Sequence, residues 1–189
     1  VVPPDGGIRA VSAKATGHDL TVFSYEPEKL KDARLNCRVE NAAEVLPRDG
    51  DLQAINRSLP DHFADHFRIE GLAQGLGTWV DLDLVFLKPL PADAYLFGRE
   101  ASTVWLCNAV LRLPTDSSIL KDYLAICRQR PVRNYQFWLS RQRRFALFGK
   151  RVVYRLAGSV SYVPPMPYGP ALLTYLAYLH GVACLAKPA

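Results

Sequence analysis

Trp79-Val80-Asp81-Leu82-Asp83-Leu84-Val85-Phe86-Leu87 is the run on which the fold class turns. It is apolar, rich in β-branched and aromatic residues, and ended by Lys88-Pro89, so it reads as a strand. Side chains alternate along a strand. Val80, Leu82, Leu84 and Phe86 then share one face, and Asp81 and Asp83 share the other, roughly 7 Å apart. Two like charges in an apolar strand are costly unless hydrogen bonds or a cation compensate them. Paired hard oxygen donors suit Mg²⁺ or Mn²⁺, which keep waters and also take phosphate oxygens. The plainer alternative is a solvated pair at a strand end, or one paired with Lys88.

The preceding segment bears on that choice. Ser58-Leu59-Pro60-Asp61 reads as a helix start, with Ser58 as cap and Pro60 in the first turn. The helix runs to about Gln74, where Gly75 and Gly77 break it. Asp65 and Arg68 lie on one face and can meet, although an exposed pair of this kind is worth little. Gly75-Leu76-Gly77 is a short reversal that returns the chain directly into the Asp81/Asp83 strand. It sets that helix face beside the carboxylates.

Further out, residues 8–15 read as a short helix ended by Gly17, and 20–25 as a strand stopped by Glu26-Pro27. Residues 41–46 read as a short helical or turn segment. A strand over 104–113 precedes a helix over 116–128, in which Ile119, Tyr123, Ile126 and Cys127 recur at helical spacing. Residues 152–154 and 159–163 read as short strands, and 170–185 as a last helix with Pro at its first position. Alternating strands and helices predict an α/β sandwich on a mixed, mostly parallel sheet.

The 189 residues suit one domain with a sizeable core. Their 49% apolar and 22% charged fractions exclude a disordered tail or a fibre. The net charge of +5 is unevenly spread. Residues 1–122 carry 13 basic and 18 acidic side chains; residues 123–189 carry 10 basic and no acidic ones. An acid-free third suggests a surface that meets something anionic. Cys37, Cys107, Cys127 and Cys184 are far apart and form no C-x-x-C, so zinc and a disulfide framework have no support, and isolated thiols in a reducing compartment are expected. Residues 1–8 lack a basic n-region and long apolar run, so no signal peptide is visible. The apolar 170–186 stretch is short for a bilayer span.

The ordered motifs resemble a known family. Asp65-His66-Phe67-Arg68, Gly75-Leu76-Gly77-Thr78-Trp79-Val80-Asp81-Leu82-Asp83 and Leu87-Lys88-Pro89-Leu90 resemble the DXD-containing sugar-binding region of glycosyltransferase family 32. That group includes α-1,4-galactosyltransferases and yeast mannosyltransferases. Gly17-His18-Asp19-Leu20 with Ser24-Tyr25, Asn108-Ala109-Val110-Leu111 before Pro114, and Gly169-Pro170 with Leu173-Thr174 resemble its flanking motifs. The similarity runs from about residue 17 to 186. Ala64, Ile69 and Leu76 depart from the usual Ser, aromatic and Gly, and no first nucleotide-binding strand is recognisable in residues 1–16.

The resemblance implies a GT-A-type, Rossmann-like sandwich over the whole chain. It implies a retaining, metal-dependent transfer from a nucleoside-diphosphate sugar, UDP first, to a saccharide or lipid-linked saccharide. By the same resemblance Asp83, assisted by Asp81, would hold Mn²⁺ or Mg²⁺ on the donor diphosphate. Asp81 would also hold ribose or sugar hydroxyls, Asp65 and Arg68 would bond the donor sugar, and Asn108 would line the pocket. Cytoplasmic residence is expected, with the Arg128–Arg155 cluster a candidate face for anionic lipid at the inner membrane surface. The rival readings are a basic nucleic-acid-binding module, since that cluster is interleaved with aromatics, and a catalytically inactive interaction domain. Asp81 and Asp83 have no role on a phosphate-binding surface without a metal, which makes nucleic acid the less favoured partner. His62 and His66 are four apart without a supporting motif and are expected at the surface; His180 is expected in the core or at its rim. Trp79, Trp105 and Trp138 are expected in the core.

Overall fold

The computed structural model describes residues 6–30, 35, 37–48, 60–100, 105–128 and 169–188. Helix α1 (Gly6–Ala15) ends at Gly17, whose φ of +80° suits a residue without Cβ. The amide of His18 donates to Ala13 O and that of Gly17 to Lys14 O, the paired bonds of a Schellman stop. Strand β1 (Thr21–Ser24) follows, and pairs in parallel with β2 (Arg38–Asn41), Thr21 opposite Arg38 and Ser24 opposite Asn41. A single 3-10 turn, Ala42–Glu44, succeeds β2, with the Asn41 side chain accepting from the Ala43 amide.

Helix α2 (Pro60–Ala73) closes in the same way as α1. Gly75 has φ +74°, its amide donates to Leu72 O, and that of Leu76 to Gly71 O. The chain reverses at once into β3 (Trp79–Val80). Strand β4 (Leu96–Arg99) and β5 (Leu106–Arg112) form a hairpin closed by Glu100 N–H to Trp105 O. A short connection of this kind forces antiparallel pairing. β5 is the middle strand, with Trp79 opposite Leu111 on one side and Arg99 opposite Leu106 on the other. Helices α3 (Ser118–Arg128) and α4 (Pro170–Leu179) follow, and further 3-10 turns occupy Pro27–Leu30 and Ala183–Leu185.

The fold is thus mixed α/β, with one small parallel pair and one antiparallel sheet. The expected mostly parallel sheet is corrected among the described residues: parallel pairing is limited to β1–β2 and an isolated bridge between Gly98 and Lys187, and the sheet that carries the 79–80 strand is antiparallel. The last helix stops at Leu179 rather than reaching 185; Gly181 intervenes and a 3-10 turn occupies Ala183–Leu185.

The larger core joins α2, the antiparallel sheet, α3 and α4 through Ile69, Phe97, Leu106, Leu111, Tyr123 and Leu173. A smaller one sets Phe63 and Phe67 of α2 against Val45 and Leu46, with Phe23, Tyr25 and Trp79 packed on it. Helix α2 therefore lies between two apolar bodies, and its polar residues Asp65, His66, Arg68 and Glu70 are all buried. This corrects the surface expectation for His66, which is only 4% exposed. Trp79 and Trp105 are half-buried. The four cysteines are free. Ser58, the strands expected at 152–154 and 159–163, Trp138 and residues 129–155 of the arginine cluster lie outside the described residues.

Among the described residues, no helix is long and apolar enough to cross a membrane.

Candidate functional site

Buried ions need partners, and α2 finds them at both ends of its polar stripe. His66 Nε2 lies 3.1 Å from Glu70 Oε1, and Arg128 of α3 clasps Glu70 through Nε at 2.8 Å and Nη2 at 2.7 Å. Burial alone would raise the Glu70 carboxyl. The hydrogen bonds from Arg128 and then His66 outweigh it and hold the group below the usual range. A carboxyl lowered in the folded state contributes stability above its unfolded value near 4.3, and loses it as pH falls through the folded value. Urea midpoints should therefore fall below about pH 4.5, and fall less steeply with pH in Arg128→Met, which is weaker at neutral pH. Arg128, expected as part of a free basic face, is committed to this clasp.

The second set of partners is the one that concerns function. Asp65 Oδ1 accepts from Arg68 Nη1 at 3.1 Å and from Asn108 Nδ2 of β5 at 3.0 Å. Arg68 Nη2 donates to Asp81 Oδ1 at 2.7 Å, and Trp79 Nε1 donates to the same oxygen at 2.6 Å. The Arg68 guanidinium also lies over the Trp79 ring, 5.1 Å from its centre. Arg68 thus bridges the carboxylate of its own helix to the one delivered by the reversal at Gly75-Leu76-Gly77. The expected ion pair is neither exposed nor isolated. Its Nε is buried without a hydrogen-bond partner among the described residues.

The strand reading of 79–87 is corrected here. Strand pairing stops at Val80, and the Asp81 amide makes one more bond, to Ala109 O at 2.8 Å. The chain then turns, with Leu84 N–H bonding Asp81 O. Leu82 is half exposed and Leu84 and Phe86 are only half-buried, so among the described residues the apolar alternation that suggested a longer strand is incompletely covered. Asp81 and Asp83 accordingly do not share a strand face. Asp81 is anchored at the strand end, and Asp83 sits in the turn, exposed and without a hydrogen bond or ion pair among the described residues.

Despite that change, Asp65, Arg68, Asp81, Asp83 and Asn108 line one cavity of about 970 Å³. His18, Thr21, Phe23, Tyr25 and Pro170 are among its other walls. Burial pushes the Tyr25 hydroxyl up to about 12 against the opposing Arg48, so it stays a donor, to Leu46 O. Arg48 stacks 3.9 Å from that ring's centre.

Asp81 Oδ2 and both Asp83 oxygens are unengaged among the described residues. No group of three or more metal-binding side chains occurs among the described residues. Mg²⁺ and Mn²⁺ commonly bind through one or two carboxylates plus waters and substrate phosphates, so Asp81 and Asp83 are the side chains here that could hold such an ion.

Gly169, the first residue of the α4 cap, matters in a way its motif does not announce. A Cβ there would stand 2.9 Å from Asp65 Oδ2 and 3.5 Å from its Cγ. Asp65 is pinned by Arg68 and Asn108 and has little room to yield. Gly169→Ala should cost about 1–3 kcal/mol in a urea titration, as overpacking does. A variant as stable as the parent would mean that Asp65 is free to move. The sequence also gives no sign of the Arg112 Nε to Thr78 Oγ1 bond at 2.6 Å, which braces β5 against the reversal.

Comparison with protein-family models, curated proteins and solved structures returns no match.

Proposed function

We propose that the chain is a GT-A-type, metal-dependent retaining glycosyltransferase that moves a sugar from a nucleoside diphosphate, UDP first, to a saccharide or lipid-linked saccharide. The observation that carries this reading is the convergence of Asp65, Arg68, Asp81, Asp83 and Asn108 on one cavity. The short reversal accounts for Arg68 reaching Asp81, but not for Asn108 of β5 joining them through Asp65.

In this reading Asp83 and the open Oδ2 of Asp81 hold the cation. The ion supplies positive charge where the leaving diphosphate becomes more negative as the glycosidic bond breaks. Asp81 Oδ1 is fixed by Arg68 and Trp79, so the carboxylate is oriented before ligand arrives and the cost of ordering it is already met in folding. Asp65, Arg68 and Asn108 form the polar floor that reads the sugar hydroxyls. No carboxylate is assigned as a covalent nucleophile. Release of sugar from UDP-sugars in the presence of Mn²⁺ tests the reading. Turnover that requires the cation is expected; no turnover across donors, with no cation-dependent nucleotide binding, overturns it.

A further inference from the structure

We infer that His18 is a positioning residue for this site: its neutral imidazole latches the segment after Asp83 against the end of α1, and protonation releases it. The latch stands on geometry alone, and only its consequence for catalysis rests on the proposed function.

The segment over residues 84–90 contains no helix or strand. Among the described residues, its amides are held at Leu84 within the turn, at Phe86 by Ser12 Oγ of α1 at 3.1 Å, and at Leu90 by His18 Nε2 at 2.9 Å. The Schellman stop at Gly17 delivers His18 to that position, and its ring packs 5.4 Å from the Phe86 ring. His18, Phe86 and Leu90 line the same cavity as Asp81 and Asp83.

An imidazole nitrogen that accepts an amide N–H must carry a lone pair, so the ring is neutral and its proton is on Nδ1. A protonated ring has donors at both nitrogens. Nε2–H would then face Leu90 N–H, and one bond is lost while two donors oppose each other. Histidine is the side chain whose ordinary titration spans pH 5 to 8. Among the described side chains, the charged groups on the elements around it are Asp19 beside it, Lys14 on α1, Asp83 just before the segment and Lys88 on it. None forms an ion pair with the ring among the described residues. The tie therefore weakens with acid, and the wall next to Asp83 loosens with it.

Hydrogen exchange of the full chain, read on peptides spanning 84–91 at pH 5.5 and 7.5 after correction for intrinsic rates, tests this. Parent protein should lose about tenfold in protection at pH 5.5, as loss of one hydrogen bond predicts. His18→Gln retains an acceptor that cannot titrate, and should be equally protected at both pH values. His18→Phe keeps the ring contact without the acceptor, and should show at both pH values the reduced protection of the parent at pH 5.5. Equal protection of the parent at both pH values, or a His18→Gln variant with the parent's pH dependence, overturns the latch. If His18→Phe does not fold, the parent and His18→Gln still decide. Exchange needs neither donor nor turnover, so a chain that transfers no sugar leaves this result standing, and the reverse also holds.

Discussion

Arg68→Ala is expected to destabilise the protein by about 3–5 kcal/mol, the cost of removing one partner from a buried ion pair. In a chain of this size that lowers Tm by roughly 10 °C. The side chains of Arg68 and Asp65 are 6% and 10% exposed, so water cannot replace the lost guanidinium. The variant leaves Asp65 with Asn108 as its remaining named donor, strips one of two bonds from Asp81 Oδ1, and removes the cation from the Trp79 face. Arg68→Lys should recover little, because a single ammonium cannot reproduce a fork that reaches two carboxylates. Removing both charges in Asp65→Ala/Arg68→Ala should cost less than the sum of the single changes, since neither charge is then stranded. Urea titration of the parent, Arg68→Ala, Arg68→Lys, Asp65→Ala and the double variant decides the matter. A parent-like Arg68→Ala would show that the pair is solvated.

Asp83→Asn separates function from stability. Asp83 is exposed and makes no hydrogen bond or ion pair among the described residues, so its replacement should change unfolding free energy by no more than about 0.5 kcal/mol. The same change removes half of the carboxylate charge proposed to hold the cation, and should lower cation-dependent turnover by about 10²–10³-fold. Asp81→Asn is expected to lose both, because Arg68 and Trp79 hold that carboxylate. A variant at Asp83 that is inactive because it is unfolded would contradict the division between the two aspartates.

Where local chemistry sets the structure, the sequence was legible. The ends of α1 and α2 follow from Gly17 and Gly75, whose positive φ lets the last carbonyls be satisfied. The turn through Gly77 does bring the Asp65/Arg68 face to Asp81, as its shortness requires. What failed was inference from pattern about burial. Leu82, Leu84 and Phe86 alternate as a buried strand would, yet the ladder stops at Val80 and Leu82 is 50% exposed. Alternation states that one face is apolar and says nothing of whether a layer covers it. β2 (Arg38-Val39-Glu40-Asn41) and β4 (Leu96-Phe97-Gly98-Arg99) are short and lack the run of β-branched and aromatic residues that marks the equally short β1, so composition does not announce them. The burial of His66 depends on α2 being packed on two sides, and Gly169 depends on a contact with Asp65. The bond from Leu90 to His18 spans 72 residues. No local spacing encodes any of these.

The most direct test of the central claim is calorimetric binding of a nucleoside diphosphate to the full chain, with Mn²⁺ and with the cation chelated, in parent and Asp83→Asn proteins. Binding that requires Mn²⁺ in the parent and is lost in folded Asp83→Asn is the predicted result. Equal binding with and without the cation, or undiminished binding by Asp83→Asn, would contradict it.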